Sequence, residues 1–212
     1  MNAKLLSVQV GLPRTVQWHD QSVETGIFKK PVAGRVRLLR LNLDGDRQAD
    51  LVAHGGPDKA VYAYPREHYP YWQDQLPGVE LPSGAFGENL TTEGLLETTA
   101  HIGDRFQIGT AEVMVAQPRG PCYKLGIKFG NDEMVERFLN SRRLGIYLRV
   151  TQEGEVGAGD DIVLVHRDES QVSVADIIRF YFDPAPDREL LQRALGVKAL
   201  PDNWRRKLSA HL

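Results

Sequence analysis

The sequence predicts a mostly β (α+β) body over residues 1–167 and a three-helix unit over residues 168–212. Three observations carry that expectation. Twenty glycines and twelve prolines punctuate short β-prone runs through most of the first 165 residues. Hydrophobic periodicity then shifts from two to nearly four across Asp168–Val172. Beyond that point the apolar stripes begin beside recognisable helix starts. At 212 residues the chain can bury one large core, or one domain with an appendage.

The β-prone runs are Lys4–Val10, Arg35–Leu43, Ala60–Tyr64, Arg105–Ile108, Ala111–Ala116, Ile146–Gln152 and Asp161–Val165. Ile108-Gly109-Thr110-Ala111 reads as a tight turn between two of them, and Glu153-Gly154-Glu155 as another after Ile146–Thr151. Arg66–Leu76 reads as a helix, with Pro70 confined to its first turn or to a kink. Asn131–Asn140 reads as a second, with Asn131 as N-cap and Met134, Val135, Phe138 and Leu139 as its apolar stripe.

Past the boundary, Ser173 and Asp176 form a capping-box pattern ahead of Val174, Ile177, Ile178 and Tyr181 on one helical face. Asp187 caps a helix through Leu190, Leu191, Ala194 and Leu195 that Gly196 is expected to close. Pro201 and Asp202 precede a third, with Trp204, Leu208 and Leu212 at four-residue spacing. Helices this short need a packing surface. Phe180, Tyr181, Phe182 and Trp204 offer more aromatic surface than so small a unit buries alone, which predicts a homodimer.

Twenty-six basic against 28 acidic residues leave a net charge of −2, so no broad field for nucleic acid or a membrane surface exists. A mean hydropathy of −0.36 and short apolar runs disfavour membrane insertion. The first eleven residues lack a small-residue cleavage site, which predicts a cytoplasmic protein. A single cysteine excludes an intramolecular disulfide, a multi-cysteine zinc site and a protein-ligated iron–sulfur cluster.

Four segments carry potential chemistry. In Gln117-Pro118-Arg119-Gly120-Pro121-Cys122-Tyr123-Lys124-Leu125 the prolines and glycine predict a fixed loop that presents Cys122 between two cations, Arg119 and Lys124. Neighbouring positive charge favours the thiolate, the form that attacks electrophiles or binds metal. A buried cysteine packing as a small hydrophobe accounts for the same residue. In His54-Gly55-Gly56-Pro57-Asp58-Lys59 the paired glycines allow consecutive N–H groups to converge on an anion, with Lys59 adding charge; a plain surface turn fits equally. In Phe86-Gly87-Glu88-Asn89-Leu90 the Glu88 and Asn89 side chains suit a polar heterocycle, or an Asx-type turn. In Gly145–Val150, Tyr147 and Arg149 share a strand face, where Arg149 meets an anion or an outward carboxylate. The six histidines show no metal-ligand spacing, and Arg205-Arg206-Lys207 reads as a solvated helix face.

Taken in order, His54–Tyr64, Phe86–Leu90, Ile102-Gly103-Asp104, Gln117–Leu125 and Tyr147–Val150 resemble the MOSC family, named for molybdenum cofactor sulfurase C-termini, and the closing helices resemble the YiiM-like branch. The resemblance implies a β-barrel-like body holding a molybdenum–pterin cofactor (Mo-molybdopterin), with Cys122 as metal ligand and catalytic residue. It implies reduction of N-hydroxylated compounds such as hydroxylamino-purines and amidoximes, or sulfur and cofactor carriage without turnover. No aminotransferase-like domain of the sulfurases and no long N-terminal β extension of the amidoxime-reducing relatives is found in the sequence. A dithiolene-held metal, a phosphate and a pterin edge call for a soft thiolate, cations and paired polar groups. Arg119, Lys124, Lys59 and Arg149 are the candidate cations, Glu88 and Asn89 the heterocycle readers, and His54, Gly55, Gly56, Asp58 and Tyr147 complete the candidate binding set. With one cysteine and no flavin or dinucleotide motif, electrons are expected from a separate reductase.

Overall fold

The computed structural model describes residues 3–183 and 185–210. Its strands are β1 (Ala3–Val10), β2 (Arg14–Trp18), β3 (Gln21–Thr25), β4 (Lys30–Pro31), β5 (Arg35–Leu38), β6 (Val61–Pro65), β7 (Leu90–Glu93), β8 (Arg105–Ile108), β9 (Ala111–Pro118), β10 (Ile146–Gln152), β11 (Gly154–Gly157) and β12 (Asp161–His166). Seven of them close a barrel in the order β12-β8-β9-β10-β6-β7-β1, and β1 returns to β12 through the pairs Ala3–Ile162 and Lys4–Asp161. Closure leaves the seven strands without a free edge over the paired stretch. Every barrel pairing is antiparallel except β6 with β7, which therefore needs the long crossover of residues 66–89. Two ribbons, β2–β3 and β5–β11, and the short β4 on β1 lie outside the ring.

Alternation sets the core. Ile146, Leu148 and Val150 of β10 are buried between half-exposed Tyr147, Arg149 and Thr151. In β6 all five residues are buried, because the barrel interior covers one face and an aromatic layer the other. That layer joins Tyr64 to Phe86 (ring centroids 4.8 Å apart), Trp72 to Phe138 (5.4 Å, stacked) and Phe86 to Phe129 (5.5 Å). Their polar handles are satisfied: Trp72 Nε1 donates to the Tyr64 hydroxyl at 2.7 Å, and Tyr64 in turn donates to the Arg143 carbonyl at 3.1 Å. The layer is carried by the helices α2 (Tyr69–Gln75), α3 (Tyr123–Phe129) and α4 (Met134–Asn140), which follow a single-turn α1 (Leu51–His54).

The three closing helices are α5 (Val174–Phe182), α6 (Arg188–Gly196) and α7 (Asp202–Ser209). Ser173 and Asp176 make the expected reciprocal capping box, and Asp187 caps α6. The unit is sewn to the barrel by Val174 N–H to Ala100 O (2.9 Å), Ala175 N–H to Glu97 O (2.8 Å) and an isolated bridge between His101 and Ser173. No helix among the described residues is long and apolar enough to cross a membrane.

Several elements depart from their expected form. The run Arg35–Leu43 stops at Leu38 and folds back, with Leu39 N–H bonded to Asn42 O and Leu38 bridging Leu43. Strand β9 continues through Pro118, and α3 begins at Tyr123, so the expected long loop shrinks to residues 119–122. Gly130, with φ +63°, ends α3 and returns its N–H to Gly126 O and Ile127 O. Helix α4 begins only at Met134; Asn131 Oδ1 instead accepts from the Glu133 N–H at 2.9 Å. Gly196 belongs to α6, which Val197 caps. Leu212, the last residue of the proposed α7 stripe, lies outside the described residues. Phe180 and Trp204 are buried and Phe182 half-buried within the chain, leaving Tyr181 exposed, so the aromatic surface behind the homodimer expectation is largely covered internally.

Phe86 touches five rings, those of Tyr64, Tyr69, Trp72, Phe129 and Phe138. Phe86→Ala is expected to cost about 3–5 kcal/mol through the cavity it leaves, read as a lowered urea midpoint with far-UV dichroism of the folded state preserved.

Candidate functional site

Strand β9 pairs with β10 up to Pro118–Ile146, and Pro118 and Pro121, which lack an N–H, prevent the ladder from continuing. Arg119 N–H still reaches Gly145 O at 3.4 Å before the chain turns away. Cys122 then adopts an extended conformation (φ −132°, ψ 170°) and starts α3, its carbonyl accepting from Leu125 N–H at 2.9 Å. Its thiol is free, half-buried, and without a hydrogen-bond partner among the described residues.

Cys122 lines a pocket with Arg119, Lys124, Tyr147, Tyr62, Asn89, His54 and Lys59; the opposite wall is Thr25–Ile27, Lys29 and Asp46–Ala49. The lining holds five cations, Lys29, Arg47, Lys59, Arg119 and Lys124, against the one carboxylate of Asp46. Asp46 is already engaged: its side chain accepts from Gly11 N–H (2.8 Å) and Asn89 Nδ2 (2.9 Å) and pairs with Lys29. Arg119 donates to Phe86 O at 2.5 Å, and its guanidinium lies 4.6 Å from the Tyr62 ring centre. Lys59 donates to Ala53 O at 2.5 Å. Lys124 is only 8% exposed and has no hydrogen bond or ion pair with any described residue. Burial, then the charges of Lys124, Arg119 and Lys59, lower the His54 pKa and keep its imidazole neutral. Chemically, cations and a free thiol in one pocket can hold an anion that also offers a soft centre to sulfur. A wider groove beside β12 is lined by Leu95, Leu96, Phe106, Val163 and Leu164 together with Glu67, Thr99, Asp161 and Arg167, and contains neither cysteine nor histidine.

The structure brings together Cys122, Arg119, Lys124, Lys59, His54, Asn89 and Tyr147 from the expected set and leaves the others outside the pocket lining. Glu88 is fully buried behind it and holds the turn before β7. Its carboxylate accepts from Gly84 N–H (2.8 Å), Phe86 N–H (3.0 Å), the Thr91 hydroxyl (3.1 Å) and the Tyr69 hydroxyl, so it is committed to the protein's own donors and lies outside the pocket lining. Asn89 lines the pocket, yet its amide is occupied by Tyr62 N–H, Asp46 and Gln9 O. Arg149 meets Asp58, with Nε 2.7 Å from Oδ1, which is the outward ion pair rather than an anion contact. Gly55 N–H closes α1 onto Leu51 O at 3.1 Å, so the paired glycines do not converge on a ligand. Gly56, at φ +91°, instead allows the chain to leave that helix.

Lys29, Asp46, Arg47 and Lys128 were not singled out by sequence. Lys128 donates to Ile27 O (3.2 Å) and Gly84 O (2.7 Å) and so ties the pocket wall to the Glu88 turn. Only the density of polar residues around Asp44-Gly45-Asp46 hinted at that wall, since its partners lie 17 to 43 residues away.

Comparison with known proteins adds the following. The MOSC domain family matches residues 50–163, and the YiiM-like, 3-alpha helix domain matches residues 172–212. The chain is 45% identical over 201 residues to YflK of Bacillus subtilis (95% of this chain, 90% of that protein). It is 37% identical to protein YiiM of Escherichia coli (91% and 87%). A protein of Gibberella moniliformis called a reductase is 32% identical over 74% of this chain but only 28% of its own length. The crystal structure of YiiM from Geobacillus stearothermophilus superposes with a TM-score of 0.82 at 33% identity, covering 99% of both chains.

Burial pushes the Lys128 pKa down to about 8, against the opposing pull of Glu88. A lysine whose folded pKa lies below its unfolded value binds fewer protons when folded, so its contribution to stability grows as pH rises from about 8 towards 10. Urea unfolding of wild type and Lys128→Met at pH 7.5 and 9.5 should show wild type gaining on the variant at the higher pH; a constant gap would mean that Lys128 titrates normally.

Proposed function

The chain belongs to the MOSC domain family and carries the YiiM-like helical extension, and on that premise we propose that it is a cytoplasmic molybdenum-cofactor oxidoreductase that reduces N-hydroxylated compounds. One observation carries this reading. A free, half-buried Cys122 thiol opens into a pocket whose cations outnumber its carboxylates five to one. The donor set fits a molybdenum–pterin group: a soft sulfur for the metal, and cations without internal anions for its phosphate. The reductase name of a relative that shares the family supports a redox role.

Cys122 would hold the metal, and Arg119, Lys124 and Lys59 the anionic and pterin parts of the group. When bound, the group supplies a two-electron centre for cleaving an N–O bond. The overall change is R–NH–OH + 2 e⁻ + 2 H⁺ → R–NH₂ + H₂O. Arg119 is fixed by Phe86 O and the Tyr62 ring, so it orients without moving. His54, held neutral, offers one ring nitrogen as acceptor and one as donor to a ligand in the pocket it lines. With a single cysteine in the chain, and no cluster of metal-binding side chains among the described residues, the electrons come from a separate reductase.

Cys122→Ser removes the soft ligand with little change in size. Expressed where the cofactor is made, the variant should fold, lose most of its molybdenum by elemental analysis, and lose reduction of an N-hydroxylated purine or amidoxime with an artificial donor. Equal metal and equal activity in the two proteins would remove Cys122 as ligand. A wild type that loads molybdenum yet reduces nothing would favour a carrier of sulfur or cofactor.

A further inference from the structure

The aromatic layer beside the pocket contains tyrosines whose hydroxyls are already engaged. Tyr62 donates to Leu144 O at 2.9 Å, Tyr64 to Arg143 O at 3.1 Å, and Tyr69 to the Glu88 carboxylate. Tyr147 differs. Its hydroxyl makes no hydrogen bond to any described residue, and it is not among the polar atoms sealed from solvent without a partner. It is a half-buried residue of the pocket lining whose neighbours in charge are Arg119 and Cys122. A phenol in such a place has room for a ligand atom.

We infer that Tyr147 is a catalytic residue of this pocket, donating its O–H to the oxygen of the bound N-hydroxyl group. The inference rests on the function proposed above and goes beyond it by naming the group that recognises the atom to be removed. The residue is held in the strand ladder on both sides and its ring packs on one neighbouring ring. Its backbone pairs with Tyr62 on β6 and with Gln117 on β9, and its ring centre lies 5.4 Å from that of Tyr62. A donor held this rigidly costs little to organise when the substrate arrives. Burial raises the Tyr147 pKa, so the hydroxyl keeps its proton and remains a donor. As the N–O bond breaks, negative charge gathers on that oxygen, and a hydrogen bond made there strengthens in the transition state. The neighbouring Arg119 adds positive potential at the same place. The amine product lacks the oxygen, so the same contact distinguishes substrate from product.

Tyr147→Phe keeps the ring and deletes only the hydroxyl. The cofactor-loaded variant should carry as much molybdenum as wild type, show a kcat for N-hydroxylated purine lower by about 10²-fold, and change KM much less. Independently of turnover, equilibrium dialysis against oxidised, cofactor-loaded protein should show wild type preferring the N-hydroxylated purine over its amino product by about five- to tenfold, and Tyr147→Phe losing that preference. Tyr64→Phe, whose hydroxyl is engaged with the Arg143 carbonyl outside the pocket lining, should retain it. Unchanged kcat and unchanged preference in Tyr147→Phe overturn the inference. So does loss of molybdenum or of folding in that variant, because the hydroxyl would then serve the cofactor or the barrel. If wild type itself reduces no N-hydroxylated compound, the proposed function fails and takes the role of Tyr147 with it; a working wild type matched by Tyr147→Phe removes Tyr147 alone.

Discussion

The buried amide of Asn89 is the joint on which the architecture turns. Its Oδ1 accepts from Tyr62 N–H on β6, and its Nδ2 donates to Gln9 O on β1 and to Asp46 in the loop before α1. Its backbone continues the same work, with N–H to Tyr62 O at 2.8 Å and its carbonyl accepting from Gln9 N–H at 2.7 Å. The parallel entry of β7 between β6 and β1 would otherwise leave these groups unpaired in a buried place, at a cost of about 1–3 kcal/mol each. One side chain thus ties β6 to β1 and anchors the wall of the pocket.

From that joint the polar network spreads outward. Asp46 is nearly inaccessible, yet its charge is matched by Lys29 and its oxygens by Gly11 and Asn89. Buried ion pairs of this kind confer position more than stability, since desolvation offsets most of the attraction. Here the position matters, because Lys29 and Asp46 line the same pocket as Cys122. Glu88, one residue from Asn89, plays the companion part by pinning Gly84 and Phe86, and Phe86 O then receives Arg119. The cation that opens the cysteine loop is held through two links that begin in a turn.

The charge imbalance of the pocket is a cost that folding carries. Buried Lys124 shares the lining with Arg119 and Lys59 beside a neutral His54, and like charges gathered away from water repel. On the function proposed above, an anionic ligand would relieve that repulsion. The C-terminal helices reach the same region, for Asn203 donates to Gln117 Oε1 at 3.4 Å on the strand that delivers the cysteine loop, and the charge of Lys207 helps to lower the Lys59 pKa after burial.

The sequence by itself determined the elements whose causes are local. Alternation placed β1, β8, β10 and β12 nearly to the residue, the Ser173–Asp176 box and the Asp187 cap located α5 and α6, and the proline-rich loop drew attention to Cys122. Motif order pointed to the family, because several short patterns in fixed sequence are jointly specific. What only the tertiary structure decided were pairings between distant residues. Glu88 and Arg149 have the composition of ligand-binding groups, and nothing local distinguishes a carboxylate facing a ligand from one that already accepts from its own turn, from Thr91 on β7 and from Tyr69 on α2. Lys29 and Asp46 look like ordinary surface residues until the barrel closes and removes them from water. Tyr147 could not be told from Tyr62 by sequence, since whether a hydroxyl is engaged depends on the carbonyl that the fold brings to it, and Leu144 comes to Tyr62 alone.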